Sequence, residues 1–428
     1  MSKNCDCFNK TLCYSSPAHG GWGMVRVGMS VPESFQIFFS PPACGRHGAV
    51  SAVFHKFRNR LAYYFLDEKD VVSGGYEQQI FEVVDVVLKR LEKKPKAMLL
   101  FVTCIDDLMG TDLEALTLKL KERFSDIDFV FCHMNPIRED SKLPTAQNIQ
   151  QQIYTLLKKK NLKNDSINCI GNLLPIDKEC EIYTVLKCLG INNVNHIMKC
   201  NNYNDFQDMA SSKYNFLIEP NGLAAVNMME KDLGIPYEDM CVSFHLDIID
   251  KQYERIIELF SEQICEKSRV EIDGILSNMK MQVQQEIEKT KQLIGDLPIY
   301  IDLSAVTRPY QLAWFLYKNG FNIKGIFSEK PSKAEHEAWN NIINNCPNIK
   351  IMTPQNPKTR LRNDEMENAL SIGFEAAYIT QSKYVLNLFN DEGMFGYYGV
   401  IKLMQMIRNC YENPIGLKKL IESYGLVV

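Results

Sequence analysis

Apolar and polar positions along the chain fall into short apolar runs separated by longer stretches of helical period, the pattern of alternating strands and helices. In the first third, the runs Phe35–Phe39, Ala62–Leu66, Ala97–Val102 and Asp128–Phe131 read as buried strands. A helix near Tyr76–Lys93 stops before Pro95, and another spans about Asp112–Phe124. The middle third gives short strands at Ile167–Leu174, Val194–Met198 and Tyr214–Ile218, then a helix at Gly222–Leu233 that stops at Gly234 and Pro236. The last third gives Pro298–Leu303, Ile323–Phe327, Ile349–Met352 and Ala377–Ile379 as strands. A long helical stretch from about Asp250 to Leu293 carries Ile272, Ile275, Leu276, Met279, Val283 and Ile287 on one apolar stripe, as a packed connecting helix does. The expected fold is α/β with parallel sheets. Cuts near 165 and 295 give three domains, 1–165, 166–295 and 296–428.

Length agrees with that division, since 428 residues exceed one ordinary core. Hydrophobic residues at 46% and charged ones at 23% describe a globular chain. A net charge of −4 gives no basic footprint, which argues against nucleic acid or an anionic membrane as partner. No apolar run approaches the roughly 20 residues that span a bilayer. Met1 to Lys10 is polar and carries no apolar signal core, so a cytoplasmic protein is expected.

Fourteen cysteines change the picture. In a reducing compartment they mean metal ligation or burial rather than disulfides. Nine of them, Cys132, Cys169, Cys180, Cys188, Cys200, Cys241, Cys265, Cys346 and Cys410, are expected as small core side chains. Cys104 is different. The strand Ala97–Thr103 delivers it to a carboxyl end, where open α/β sheets place their ligands. After it, Thr111-Asp112-Leu113-Glu114 has the form of a capping box, and a thiolate near a helix start suits metal ligation. Cys44 has a similar setting after Phe35–Phe39 and the rigid pair Pro41-Pro42. Cys13 lies in an irregular segment rich in Gly, Ser and Pro.

The run Cys104-Ile-Asp-Asp-Leu-Met-Gly-Thr-Asp-Leu-Glu114 resembles the third cluster-cysteine motif of the nitrogenase component 1 type oxidoreductases, a Cys followed by a Gly-Asp-Asp helix start, with Thr111 for the first Asp. Ser40-Pro-Pro-Ala-Cys44-Gly resembles that family's second-cysteine motif, and Asp67-Glu-Lys-Asp-Val-Val-Ser-Gly-Gly-Tyr76 is similar to the segment between the two. Met229-Glu-Lys-Asp-Leu-Gly-Ile-Pro-Tyr237 looks like a middle-domain helix end, and Asp391-Glu-Gly-Met-Phe-Gly-Tyr-Tyr-Gly399 like the glycine-rich loop near the C-terminus.

The resemblance implies three Rossmann-like domains and an iron–sulfur cluster, a [4Fe–4S] cubane or a P-cluster-like group, held by Cys13, Cys44 and Cys104, with Cys5 and Cys7 competing for the first place. His19, Arg46 and His47, together with Arg26, stand beside those motifs. They would hydrogen-bond cluster sulfides or tune the potential; ordinary loop packing is the plainer alternative. Asp106 and Asp107 are expected on a solvent-facing loop rather than on iron. Glu219, Asn221 and Arg308 are expected at strand ends of the other domains. In the family's catalytic subunit a Cys and a His hold the iron–molybdenum cofactor. Here Leu217–Pro220 contains no Cys and Phe395 stands where the His would be, so dinitrogen reduction at such a cofactor is not expected. No Gly-x-x-x-x-Gly-Lys-Ser/Thr phosphate loop occurs. Electrons would then come from a separate ATP-dependent iron-protein reductase, and the chain would form a homodimer or a heteromer with a paralogous subunit. Two functional readings follow: a subunit reducing an unidentified substrate, and a scaffold on which a metallocluster or cofactor is assembled.

Overall fold

The computed structural model describes residues 27–42, 44, 57–134, 145–261, 265–354, 356, 359 and 368–423. Three parallel sheets form in chain order. Sheet A has β1 (Ser34–Ser40), β2 (Leu61–Phe65), β3 (Ala97–Thr103) and β4 (Asp128–Met134), in the order β2-β1-β3-β4. β1 and β3 are buried along their whole length, as strands covered on both faces must be. Around them run α1 (Glu68–Val72), α2 (Tyr76–Arg90), α3 (Cys104–Met109), α4 (Leu113–Arg123) and α5 (Thr145–Tyr154). The side-chain period of two sorts the strands into two cores. Phe35, Ile37, Phe39, Met98, Leu100 and Val102 meet Ile80 and Val84 of α2 and Leu116 and Leu120 of α4. On the opposite face Phe38, Leu99, Phe101 and Cys132 join Ile149 and Ile153 of α5 and, from sheet B, Ile170 and Leu217.

Sheet B has β5 (Ser166–Ile170), β6 (Asn193–Asn195), β7 (Tyr214–Leu217) and β8 (Tyr237–Asp239), in the order β6-β5-β7-β8. One row across it is polar. Asn195 donates to Asn168 at 3.2 Å and Asn168 to Asn215 at 2.8 Å, all three in register. A one-residue slip would break both bonds, so this row fixes the pairing. Helix α6 (Glu181–Cys188) precedes β6. Later come α7 (Leu246–Leu259) and α8 (Glu266–Ile294). Sheet C has β9 (Ile299–Asp302), β10 (Ile323–Phe327), β11 (Lys350–Met352), β12 (Leu370–Ile372) and β13 (Tyr384–Leu386), in the order β11-β10-β9-β12-β13. With it go α9 (Pro309–Lys318), α10 (Phe374–Thr380) and α11 (Gly396–Glu412).

The chain divides into two compact units. One gathers Ile176–Asn192 with the chain from Val242 onward, and carries sheet C. The other holds the described residues up to Pro175 together with Asn193–Cys241, and carries sheets A and B.

Three expectations are corrected. Ala377–Ile379 lies inside α10, not in a strand; the strand is Leu370–Ile372, just before it. Ile167–Leu174 stops at Ile170, because the backbone turns at Gly171 against Glu219. The helical stretch from Asp250 to Leu293 is two helices, α7 and α8, although its apolar stripe holds, with Ile272, Val283 and Ile287 buried. No helix among the described residues is long and apolar enough to cross a membrane.

Candidate metal centre

In sheet A the chain order reverses between β1 and β3, with β2 beyond one and β4 beyond the other. At such a reversal the two connections leave on opposite sides, and a crevice forms at the carboxyl ends of the central pair. β1 and β3 run in register from Ser34 beside Ala97 to Phe38 beside Phe101, so both strands end at the same level. Cys104 follows β3 directly as the first residue of α3. Cys44 follows β1 through the turn at Pro41-Pro42, its amide donating to the Pro41 carbonyl at 3.0 Å. Cys44 is exposed and Cys104 half-exposed. Burial raises the Cys44 thiol above its ordinary range, and the charge of Cys104 raises it further. The two sulfurs are therefore within electrostatic reach. Two thiols within such reach become, once deprotonated, a donor set that a soft cation neutralises, so these residues fit an iron–sulfur group.

The turn that presents Cys104 is stiff. The Asp106 carboxylate accepts the Thr103 amide at 3.0 Å and is 2% exposed. This corrects the expectation of a solvent-facing loop carboxylate. Burial pushes the Asp106 carboxyl up, and Tyr76, from the start of α2, lies beside it and pulls it down. Asp107 is exposed as expected, with His133 at 3.6 Å. The cap of α4 is also corrected. Thr111 gives its amide to the Asp106 carbonyl, closing α3, so Asp112 becomes the cap and accepts from the Ala115 amide at 2.9 Å. Between the cysteines, Asp67 and Asp70 cap α1 reciprocally, and the Tyr64 hydroxyl ties Asp70 and Gln79 to the end of β2.

Cys13, His19, Arg46 and His47 lie outside the described residues, as do Cys5, Cys7 and Arg26. Among the described residues no three His, Cys, Asp or Glu side chains converge on a metal by themselves. Six of the nine cysteines expected in cores are buried, and Cys188 and Cys200 are half-buried. Cys265 is a correction. It is exposed at the start of α8, where the Ser268 hydroxyl and backbone amides lower its thiol.

The other two sheets have the same kind of reversal, between β5 and β7 and between β9 and β12. At the first, Gly171 packs on the backbone of Glu219, and Gly222 on Gly171, so that backbone meets backbone. Glu219 is buried at the end of β7, with Asn221 half-buried two residues on. At the second, the Asp302 carboxylate fills the position. It accepts the Ser304 amide and hydroxyl at 2.7 and 2.5 Å, the Ala305 amide at 3.1 Å and the Ala376 amide at 2.6 Å. Gly373, with φ 109°, faces it, and a side-chain carbon there would land on the carboxylate. Arg308 is buried just before α9. Phe395, at the start of α11, is 1% exposed and stands edge-on to Tyr253 at 6.3 Å. Behind it the buried Glu181 accepts from the Tyr253 hydroxyl and the Tyr397 amide, both at 2.7 Å. Sequence reasoning had no signal for Glu181, whose partners Tyr253 and Tyr397 are distant in the chain, or for the bond that the Ala376 amide gives to Asp302.

Comparison with known proteins agrees with this architecture. The family model described as nitrogenase component 1 type oxidoreductase matches residues 20–411. A curated relative is the nitrogenase iron–molybdenum cofactor biosynthesis protein NifE of Clostridium pasteurianum, 24% identical over 273 residues, which are 62% of this chain and 54% of that protein. The chain thus spans about half the length of that relative. A solved structure of nitrogenase Cp1 at pH 6.5 superposes with a TM-score of 0.69 at 14% identity, covering 95% of this chain and 94% of the other. Nitrogenase Cp1 at pH 5 gives 0.66 at 14% identity, covering 99% and 92%. At such identity the likeness shows a shared fold, and the family model, matched over most of the sequence, shows the kinship: the chain belongs to the nitrogenase component 1 type oxidoreductases.

Proposed function

We propose that this chain is an iron–sulfur oxidoreductase subunit that accepts electrons from a separate ATP-dependent reductase and reduces a substrate other than dinitrogen at an iron–molybdenum cofactor. The observation that carries the reading is the pair Cys44 and Cys104 at the reversal of sheet A. In this reading Cys13 completes the ligand set, His19, Arg46 and His47 tune the cluster, and the three domains 1–165, 166–295 and 296–428 each contain one sheet. A bound [4Fe–4S] or P-cluster-like group would take up and pass on electrons. The protein's own part is to hold the two thiolates at the end of a stiff strand pair, and to keep the turn after β3 fixed through Asp106 and Thr103. Three cysteines leave a cubane one ligand short, which a second subunit supplies, as homodimer or paralogous heteromer. Apolar side chains on that edge support such a contact: Phe65 ends β2, Val72 ends α1 and Leu108 lies in α3, at 53%, 86% and 84% exposure. The setting is cytoplasmic.

A second reading, assembly of a metallocluster or cofactor for another protein, is favoured by the name of the NifE relative. The cluster is tested by iron and sulfide analysis with electron paramagnetic resonance on protein purified without oxygen. Cys44→Ala and Cys104→Ala should lose iron, whereas Cys346→Ala and Cys410→Ala should keep it. Full iron content in Cys104→Ala sinks the assignment, and stoichiometric molybdenum overturns the exclusion of the cofactor. Reduction that needs an added ATPase reductase, and stops with a non-hydrolysable nucleotide, marks the enzyme. Stoichiometric release of a cluster to an acceptor marks the scaffold.

A further inference from the structure

The segment from Asn387 to Phe395 leaves β13 and enters α11. Two successive non-glycine residues in it are left-handed, Asn390 with φ 46° and Asp391 with φ 51°. Asn and Asp tolerate this conformation better than other side chains, but it persists only where the surroundings hold it. At these two residues the holding contacts go to the turn between β9 and α9. Asn390 donates its amide to the Ser304 carbonyl and Asp391 to that of Ala305, each at 2.9 Å. One oxygen of the Asp391 carboxylate accepts both the amide and the hydroxyl of Thr307 at 2.8 Å. The other oxygen is buried and has no hydrogen-bond partner, in a side chain only 3% exposed.

The charged groups that face this carboxyl are Arg308, at the start of α9, and Glu335, before the helix His336–Asn345. Asp177, which pairs with Lys402 of α11, meets the segment two residues on, where its amide donates to the Gly393 carbonyl at 2.9 Å. A carboxylate with one bare buried oxygen resists ionisation. Burial raises the Asp391 carboxyl, the two Thr307 bonds and Arg308 lower it, and Glu335 raises it again, with the result at about 6.

We propose that the Asn387–Phe395 segment is a proton-linked latch, closed on the β9–α9 turn while Asp391 is protonated and loosened when Asp391 ionises. In the released segment the carboxyl sits in water with its ordinary value of 3.8. The docked form therefore binds the proton more tightly, and closure is strongest in acid. It weakens as pH rises through the docked value, and changes no further above it. Opening frees the carboxyl edge of sheet C, beside which Phe389 already stands 39% exposed. The latch does not depend on the identity of the metal group.

The test is hydrogen exchange of the full chain followed by mass spectrometry, over peptides covering 387–395, with rates corrected for the intrinsic effect of pH. In the wild type the opening constant should rise about tenfold from pH 5 to pH 7 and level off above. Asp391→Asn, a neutral side chain of the same shape, should give a flat profile. Thr307→Val, which removes one donor that favours the ionised carboxylate and keeps the amide, should open the segment more at every pH and move the midpoint upward. A flat wild-type profile overturns the latch, as does an undiminished slope in Asp391→Asn. If Asp391→Asn fails to fold, the wild-type midpoint near 6 with Thr307→Val still decides it, because a midpoint far from 6 or an unshifted variant refutes the proposal.

Discussion

Replacing Asp302 by Ala should be among the most damaging single changes in the unit that carries sheet C. Its carboxylate takes four donors: the amides of Ser304, Ala305 and Ala376 and the Ser304 hydroxyl. All four bonds are in a fully buried place, and together they tie the end of β9 to its following turn and to the start of α10. A buried donor left without a partner costs about 1–3 kcal/mol. Some relaxation, and water entering the vacated space, offset part of the sum, which leaves a loss of about 4–6 kcal/mol in the Ala variant. Asp302→Asn keeps the volume and one acceptor oxygen, so a loss of about 2–3 kcal/mol is expected there. Because a chain of several domains need not unfold in one step, the readout should be local. Urea-dependent hydrogen exchange of the amides in 299–306 and 374–377 reports this junction. Acetate or formate, which can occupy the space left in the Ala variant, should restore protection in proportion to concentration, as a ligand bound only to the folded form does. A loss below about 1 kcal/mol in Asp302→Ala would falsify the reasoning, since a filled acceptor site cannot be emptied so cheaply. An Asn variant as damaged as the Ala variant would also count against it, by pointing to packing around Gly373 instead.

Two further predictions concern other buried and exposed groups. His196 is buried, takes the Met198 amide on Nδ1 at 3.1 Å and gives Nε2–H to the Asn172 carbonyl at 3.1 Å; burial pushes it down to about 4. Its contribution is complete above the unfolded value of 6.5 and is lost as pH falls towards 4, about 3 kcal/mol in all; urea midpoints at pH 7.5 and 5 should separate in the wild type and converge in His196→Gln. Among the described cysteines, Cys265 should react first with iodoacetamide at neutral pH, because it is exposed and its thiol is lowered, while Cys132 and Cys169, raised by burial, should stay unmodified until the protein unfolds. Mass spectrometry of a time course decides this, and early labelling of Cys132 would refute it.

Where sequence and structure agree, the signal was local. Ala97–Val102 is an unbroken apolar run of strand length, as a strand covered on both faces needs, so β3 and the place of Cys104 at its end follow from the sequence. The stripe on α8 was legible for the same reason, since period and burial report the same face. Misreadings came from segments too short to carry a period. Ala377–Ile379 is three apolar residues, equally suited to a strand or to the inner face of α10. β12 and β13, three residues each, were invisible or displaced. Capping failed by one residue, because Thr111 had already spent its amide on the end of α3, a contact that the pattern Thr-x-x-Glu does not encode.

The absence of a His at Phe395 could be read directly, but what stands in its place could not. Phe395 packs against Tyr253 and begins a helix capped by Glu181, whose position in the chain is more than two hundred residues earlier. The same distinction separates the three sheets. Each has a reversal of strand order, and topology alone offers a ligand site at all three. At sheet C the position is filled by Asp302 and an amide from α10; at sheet B it is closed by Gly171, Gly222 and the backbone of Glu219. Both closures are made by partners distant in sequence, and a reading along the chain has no access to them. At sheet A the residues that follow β1 and β3 are thiols within electrostatic reach of each other, and their order along the chain is enough to find them. The candidate centre was therefore legible because its two described thiols follow strand ends in the local sequence, whereas the closures at the other two reversals lie in tertiary contacts.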